Sequence, residues 1–325
     1  METVGMKDLF GGIYAGKKIL ITGHTGFKGS WLSLWLCRMG AQVTGFSLEP
    51  PTQPSHFKCL NLNMNSIIGD ITDAAHLNTI TKETKPEIVF HLAAQPLVRT
   101  SYADPVGTYA SNVMGTMNLC EACRTTASVR AIVAITTDKV YANREWWWGY
   151  REIDELGGYD PYSSSKACAD ILLSSYRQSF FNPAGFGTAH NVLLSVTRAG
   201  NVIGGGDWAK DRLIPDVARA ASTGETLLIR SPFSTRPWQH VLECLSGYLM
   251  VGQKLLEKNK TFGTAFNFGP PAEDVLPVEA VIRQAQQEWP AISYRCEASS
   301  HHPHEAGVLT LDCSKSRAML SWVPV

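Results

Sequence analysis

The 325-residue sequence predicts an α/β fold: a doubly wound parallel sheet with a smaller C-terminal substrate-binding part. Three observations carry this. Short apolar runs alternate with helical patterns along the chain as far as Arg198. A glycine-rich turn stands between the first such run and the first helical pattern. After Arg198 proline and glycine become more frequent and the alternation turns irregular.

In order, the apolar runs predict strands over 18–22, 42–46, 66–70, 88–92, 131–135 and 191–196. Helical patterns fall over 30–39, 74–84, 109–125 and 163–178, and Gly40 closes the first of them. Strands separated by helices pair in parallel, because a short hairpin cannot join them. The expected division is a dinucleotide-binding part over 1–197, with a return segment near 234–256, and a substrate part over 198–233 and 257–325.

Composition narrows the function. Lys plus Arg equals Asp plus Glu at 29 each, which gives no footprint for nucleic acid or an acidic membrane. No apolar run is long enough to cross a bilayer. The eight cysteines are scattered, as expected of a cytoplasmic protein. Cys120 and Cys123 have zinc-like spacing but lie in a helical pattern with no second such pair. His301, His302 and His304 read as a polar loop, so no metal is expected.

The turn after the first strand carries Gly23, Gly26 and Gly29, with Thr25, Phe27 and Lys28 between them. Glycines in a strand–turn–helix let backbone approach a pyrophosphate at the helix N-terminus. The first half is therefore Rossmann-like. Asp70, with Ile71 beside it, is placed to meet the adenine. Leu92, Ala93 and Ala94 are small or apolar residues at the end of the fourth strand, where backbone passes close to a cofactor. Ser47 and Leu48 end the second strand, where an acid usually holds the NAD ribose. No arginine stands there for a 2′-phosphate, and NAD is the expected cofactor, although Lys28 and His24 crowd the turn. His91 reads as a packed strand histidine.

Tyr162 and Lys166 share one face of a helix at i, i+4 spacing. A lysine ammonium beside a phenol favours the phenolate and makes it a base. The pair follows Thr137, expected at the end of the fifth strand, where open α/β sheets carry their chemistry.

Together Gly23–Gly29, Thr137, Tyr162 and Lys166 resemble the extended short-chain dehydrogenase/reductase family, and the resemblance covers nearly the whole chain. Asp138-Lys139 after Thr137, with NREW at 143–146, GGYDPY at 157–162, RAGNVIGGGDW at 198–208 and RPWQHV at 236–241, resembles the family's nucleotide-sugar 4,6-dehydratases. The resemblance implies CDP-glucose as substrate, in the first step toward deoxysugars of bacterial surface polysaccharide. It assigns Tyr162, Lys166 and Thr137 to oxidation at C4, Lys139 to the C5 proton and Asp138 to the departing O6 hydroxyl. It also implies Gln95, Asn201, Asp207, Trp208, Arg212, Arg230, Arg236 and His304 as substrate contacts. Trp146, Trp147 and Trp148 read as packing, or as a wall near the sugar.

A homodimer or homotetramer is implied, paired through the helices over 109–125 and 163–178. Met114, Met117, Leu119, Ile171, Leu172 and Leu173 are the candidate contacts. Relatives continue for a further helical stretch past the position of Val325, so a truncated or divergent end is expected. The competing readings are another dTDP- or GDP-sugar dehydratase, an epimerase, or an inactive NAD-binding regulator. An epimerase has no need of Asp138 and Lys139, because it eliminates no water.

Overall fold

The computed structural model describes residues 5–229, 231–271, 274–296 and 307–324. The strands are β1 (Lys18–Thr22), β2 (Gln42–Ser47), β3 (Asn65–Ile68), β4 (Ile88–His91), β5 (Ala131–Ile135), β6 (Leu193–Ala199), β7 (Val202–Ile203), β8 (Thr226–Ile229), β9 (Thr235–Pro237), β10 (Gln239–His240), β11 (Ala265–Phe268), β12 (Val275–Pro277) and β13 (Ser293–Cys296). The helices are α1 (Phe27–Arg38), α2 (His56–Leu60), α3 (Ala74–Thr84), α4 (Val98–Ala103), α5 (Pro105–Tyr109), α6 (Gly115–Arg124), α7 (Pro161–Ser179), α8 (Leu213–Thr223), α9 (Val241–Leu256), α10 (Val278–Glu288) and α11 (Ser314–Leu320).

Seven strands form one sheet in the order β11-β6-β5-β4-β1-β2-β3. Every pairing in it is parallel. This is a doubly wound, Rossmann-like sheet, and strand order reverses between β1 and β4, where such sheets bind ligands. Period-two alternation divides each strand between two cores. Ile19, Ile21, Phe90 and Val133 face the layer holding Leu32 and Leu36 of α1 and Leu245 and Leu249 of α9. Leu20, Val89, Ile132 and Ala134 face Leu77 of α3, Leu119 of α6 and Leu173 of α7. The substrate part has its own small core of Val217, Ala221, Ile229, Ile282 and Ile292.

Several boundaries move. The first helix begins at Phe27, because Gly26 itself takes the N-cap position. The sixth strand runs on to Ala199 and so takes Arg198 into a fully buried strand. The helix expected over 109–125 is interrupted by a π-turn at Ala110–Met114. The return to the sheet extends beyond 234–256, since the seventh strand is β11. Leu119 and Leu173 are spent inside the subunit at 1% exposure each. They are unavailable to another chain, whereas Met114 and Ile171 remain exposed. No helix among the described residues is long and apolar enough to cross a membrane.

Candidate active site

The glycine turn is shaped for close backbone approach. Gly23 has φ +78, and a Cβ there would lie 2.7 Å from the Ala93 nitrogen. A Cβ on Gly29 would lie 2.0 Å from the Gly23 carbonyl oxygen, so the helix packs directly on the turn. Gly26 caps α1 without a side-chain hydrogen bond. The first amides of this twelve-residue helix therefore meet no capping side chain, which suits an anionic diphosphate.

The polar residues of the turn point away from that cradle. His24 Nε2 lies 2.7 Å from Ser66 Oγ, and its ring fills the space over Gly45, where a Cβ would be 2.2 Å from it. Burial lowers His24 to about 4. Thr25 Oγ1 bonds Ser47 Oγ at 2.8 Å and donates to the Leu48 carbonyl, closing the end of β2. Lys28 Nζ donates to Tyr248 Oη at 2.9 Å and lines the cleft below. Its ammonium is thereby turned toward the cleft that holds Tyr162 and Lys166. Asp70 accepts from the Thr72 amide at 2.8 Å. The Ile71 side chain is buried, and its carbonyl accepts from Asn118.

A cleft of about 830 Å³ opens beside this cradle, between the ends of β5 and β6 and the substrate part. Phe27, Lys28, Leu92, Ala94, Thr137, Lys139, Tyr162, Lys166, Asn201, Asp207, Arg212 and Arg236 all line it. Asp160 brings Tyr162 there by capping α7: its carboxylate accepts from the Ser163 amide at 2.9 Å, and Pro161 opens the helix. Thr137 caps the short 3-10 turn Asp138–Val140 two residues beyond β5. Its hydroxyl donates to Asp138 Oδ1 at 2.8 Å. Lys139 Nζ is 3.3 Å from the same Oδ1 and 3.4 Å from Asn201 Oδ1. Asp138 Oδ2 is buried with no hydrogen-bond partner among the described residues.

Burial pushes the Tyr162 phenol up to about 12, a hydrogen bond with Thr137 works the other way, and the Asp138 charge adds to the rise. This corrects the expectation of a phenol lowered by its lysine. Lys166 Nζ instead donates to the Ile135 carbonyl at 3.1 Å, and burial followed by the charge of Lys28 lowers it to about 8.

Two further expectations change. Gln95 spends its side chain on its own loop, bonding Leu97 and Thr108. Trp208 stands outside the cleft lining, 39% exposed. Asp207 accepts from Arg212 at 2.9 Å, and Arg236 donates to the Thr235 and Gly307 carbonyls. Arg230 and His304, with His301 and His302, lie outside the described residues. Trp146 stacks on Tyr150 at 5.2 Å, while Trp147 and Trp148 are exposed. Asn112 gave no signal in the sequence, yet from the π-turn it donates to Ser165 on α7 and to the Gln95 carbonyl.

Fold and cleft together define a Rossmann-type enzyme with a tyrosine–lysine pair at the end of its fifth strand. Residues 20–325 match the family model described as GDP-mannose 4,6 dehydratase, and the chain belongs to that family, within the extended short-chain dehydrogenases/reductases. A CDP-glucose 4,6-dehydratase of Salmonella typhimurium is 53% identical over 96% of this chain and 87% of its own. A dTDP-glucose 4,6-dehydratase of Xanthomonas campestris is 26% identical over 94% of this chain and 88% of its own. Among solved structures, a dTDP-glucose 4,6-dehydratase of Streptomyces venezuelae with NAD bound superposes with a TM-score of 0.81. It covers 94% of this chain and 92% of its own at 21% identity, a likeness of fold.

Proposed function

We propose that the protein is an NAD-dependent lyase that converts CDP-glucose to CDP-4-keto-6-deoxyglucose. The observation that carries this reading is the convergence of Thr137, Lys139 and Tyr162 on one cleft, with Asp138 buried behind them and bonded to Thr137 and Lys139, in a chain half-identical to a CDP-glucose 4,6-dehydratase. The glycine cradle and the uncapped start of α1 fit a dinucleotide diphosphate. NAD fits better than its 2′-phosphate, because Thr25 and Ser47 close the end of β2 and Lys28 is engaged with Tyr248. When bound, NAD supplies the acceptor for the C4 hydride and the donor that returns it to C6.

The chain's own residues move the protons. Tyr162 takes the proton from the sugar O4, with Thr137 in hydrogen-bond contact and the positive charge of Arg212 favouring the phenolate. The resulting 4-ketone acidifies C5–H. Lys139 removes that proton from its place at the cleft wall and returns it to C5 when hydride reaches C6. Asp138 hands a proton to the departing O6, which leaves as water, and Oδ2 is the oxygen free to do so. Asn201 and Arg236 face the diphosphate, with Arg212 and Asp207 shaping the nucleotide side. The exposed Val106, Met114 and Ile171 on α5, the π-turn and α7 support pairing with a second copy.

The test is incubation with CDP-, dTDP-, UDP- and GDP-linked glucose or mannose, followed by the alkaline absorbance of a 4-keto-6-deoxy product. Turnover of CDP-glucose above the others is expected. Product from another nucleotide sugar and none from CDP-glucose would overturn the reading.

A further inference from the structure

Behind the catalytic face lies a buried ion pair to which none of the proposed proton steps assigns a part. Arg198, in the buried strand β6, donates Nε and Nη2 to the two carboxylate oxygens of Asp170 at 2.8 and 2.7 Å. Both side chains are under 5% exposed. Thr136 Oγ1, next to Thr137 in sequence, donates to Asp170 Oδ2 at 3.0 Å. Arg198 Nη1 donates to Tyr141 Oη at 2.8 Å, and Tyr141 follows the turn that carries Asp138 and Lys139. Asp170 sits one helical turn beyond Lys166 on the same face of α7.

We propose that Asp170 is a positioning residue for the reaction: fixed bidentately by Arg198 and reached by Thr136, its carboxylate locks the Lys166 turn of α7 against the end of β5 and holds the Lys166 ammonium in its charged form. The geometry ties together the three segments that must keep register, which are the Thr136–Thr137 strand end, the Asp138–Tyr141 turn and the Tyr162–Lys166 helix. The charges around Lys166 make the carboxylate necessary. Lys28 of α1 opposes its ionisation, as does burial, and Asp170 is the carboxylate that favours it. His91 of β4 is buried and neutral beside it, the Ile135 carbonyl of β5 accepts from it, Tyr162 lies on its own helix, and Arg198 of β6 is neutralised by Asp170. The inference rests on the proposed roles of Tyr162 and Lys166 for its meaning in catalysis, though not for its physical test.

The test titrates Lys166 directly in protein labelled with carbon-13 at lysine Cε, its resonance assigned by its loss in Lys166→Arg. In the native protein the resonance is expected to titrate at about 8. In Asp170→Asn the midpoint falls by about one pH unit, the effect of one nearby charge in a partly screened interior. If that variant does not fold, Asp170→Asn/Arg198→Met removes the stranded cation as well, and a smaller fall in the same direction is expected, because Asp170 acts on Lys166 more strongly than Arg198 does. A folded variant whose midpoint moves by less than about 0.3 pH unit overturns the proposal. The alkaline limb of kcat on CDP-glucose should move down in parallel, with KM unchanged. Absence of CDP-glucose turnover in the native protein would defeat the substrate reading, while the lysine titration would still decide the role of Asp170.

Discussion

His91 offers a stability test whose sign and size follow from its burial and its two hydroxyl partners. Thr116 Oγ1 donates its proton to the Asn112 carbonyl, so at 2.9 Å it can only accept from His91 Nε2–H. His91 Nδ1 is then the bare nitrogen, and it accepts from Thr22 Oγ1 at 2.7 Å. Protonating Nδ1 would set two donors against each other in a site with 3% exposure. Burial, helped by the charge of Lys166, accordingly lowers this imidazole to about 3. The unfolded chain takes up the proton at about 6.5 and the folded protein does not. Stability from this group is therefore complete above about 6.5 and is lost as pH falls toward the folded value. At about pH 5 the loss is about 2 kcal/mol, and His24, lowered to about 4 by burial, loses a similar amount. About 4 kcal/mol is a large share of an ordinary folding free energy. Urea unfolding of the native protein and of His91→Gln at about pH 7.5 and about pH 5 checks it, since the variant should be spared about 2 kcal/mol of the acid loss. Equal acid losses in the two proteins would refute the assignment of a neutral, buried His91.

Lys139→Met should still oxidise CDP-glucose at C4, seen as reduced-nicotinamide absorbance on mixing, and then stall with little solvent deuterium entering C5. Normal product would make Lys139 a bystander, and loss of the first reduction would make it a positioning group. Tyr162→Phe should block that first reduction and lower turnover by more than about tenfold, about 1.4 kcal/mol in barrier, with nucleotide-sugar binding kept. Ile171→Asp, on the exposed face of α7, should shift sedimentation from dimer to monomer at micromolar concentration, and a native protein that sediments as a monomer counts against pairing altogether.

Much of the sheet was readable because its signal is local. The inner parallel strands are buried on both faces and read as short apolar runs, and β1, β5 and α3 fall at the expected residues. The glycine turn was readable because steric demand leaves no alternative at Gly23 and Gly29. What escaped was the part set by distant partners. The seventh strand, β11, lies far along the chain from β6, and nothing in its four residues says that it joins there. Leu119 and Leu173 carry the same apolar signal as Met114 and Ile171, and only packing tells core from surface. The π-turn at Ala110–Met114 has no composition signal that separates it from an ordinary helix.

The site divides along the same line, and the division bears on how the chemistry works. The residue types were legible at Thr137, Asp138, Lys139, Tyr162 and Lys166, because their spacing is short and the chain itself brings them together. The ionisation of Tyr162 and Lys166 was not legible, because it depends on neighbours far away in sequence: Lys28 near Lys166 and Arg212 near Tyr162. An arginine inside an apolar strand was the clue that could have revealed one such partner, since Arg198 cannot be buried there without a carboxylate. The partnerships also ease a conflict that the sequence poses. A lysine base and an aspartic acid side by side would disable each other if the ion pair used both carboxylate oxygens. Here Lys139 and Thr137 share Oδ1 and leave Oδ2 buried with no partner among the described residues. A buried bare oxygen is costly, and a proton placed on it needs an acceptor. On the mechanism proposed above, the O6 hydroxyl of a bound hexose would be that acceptor, and one carboxylate would then have two separable tasks: Oδ1 to hold the base and Oδ2 to release water.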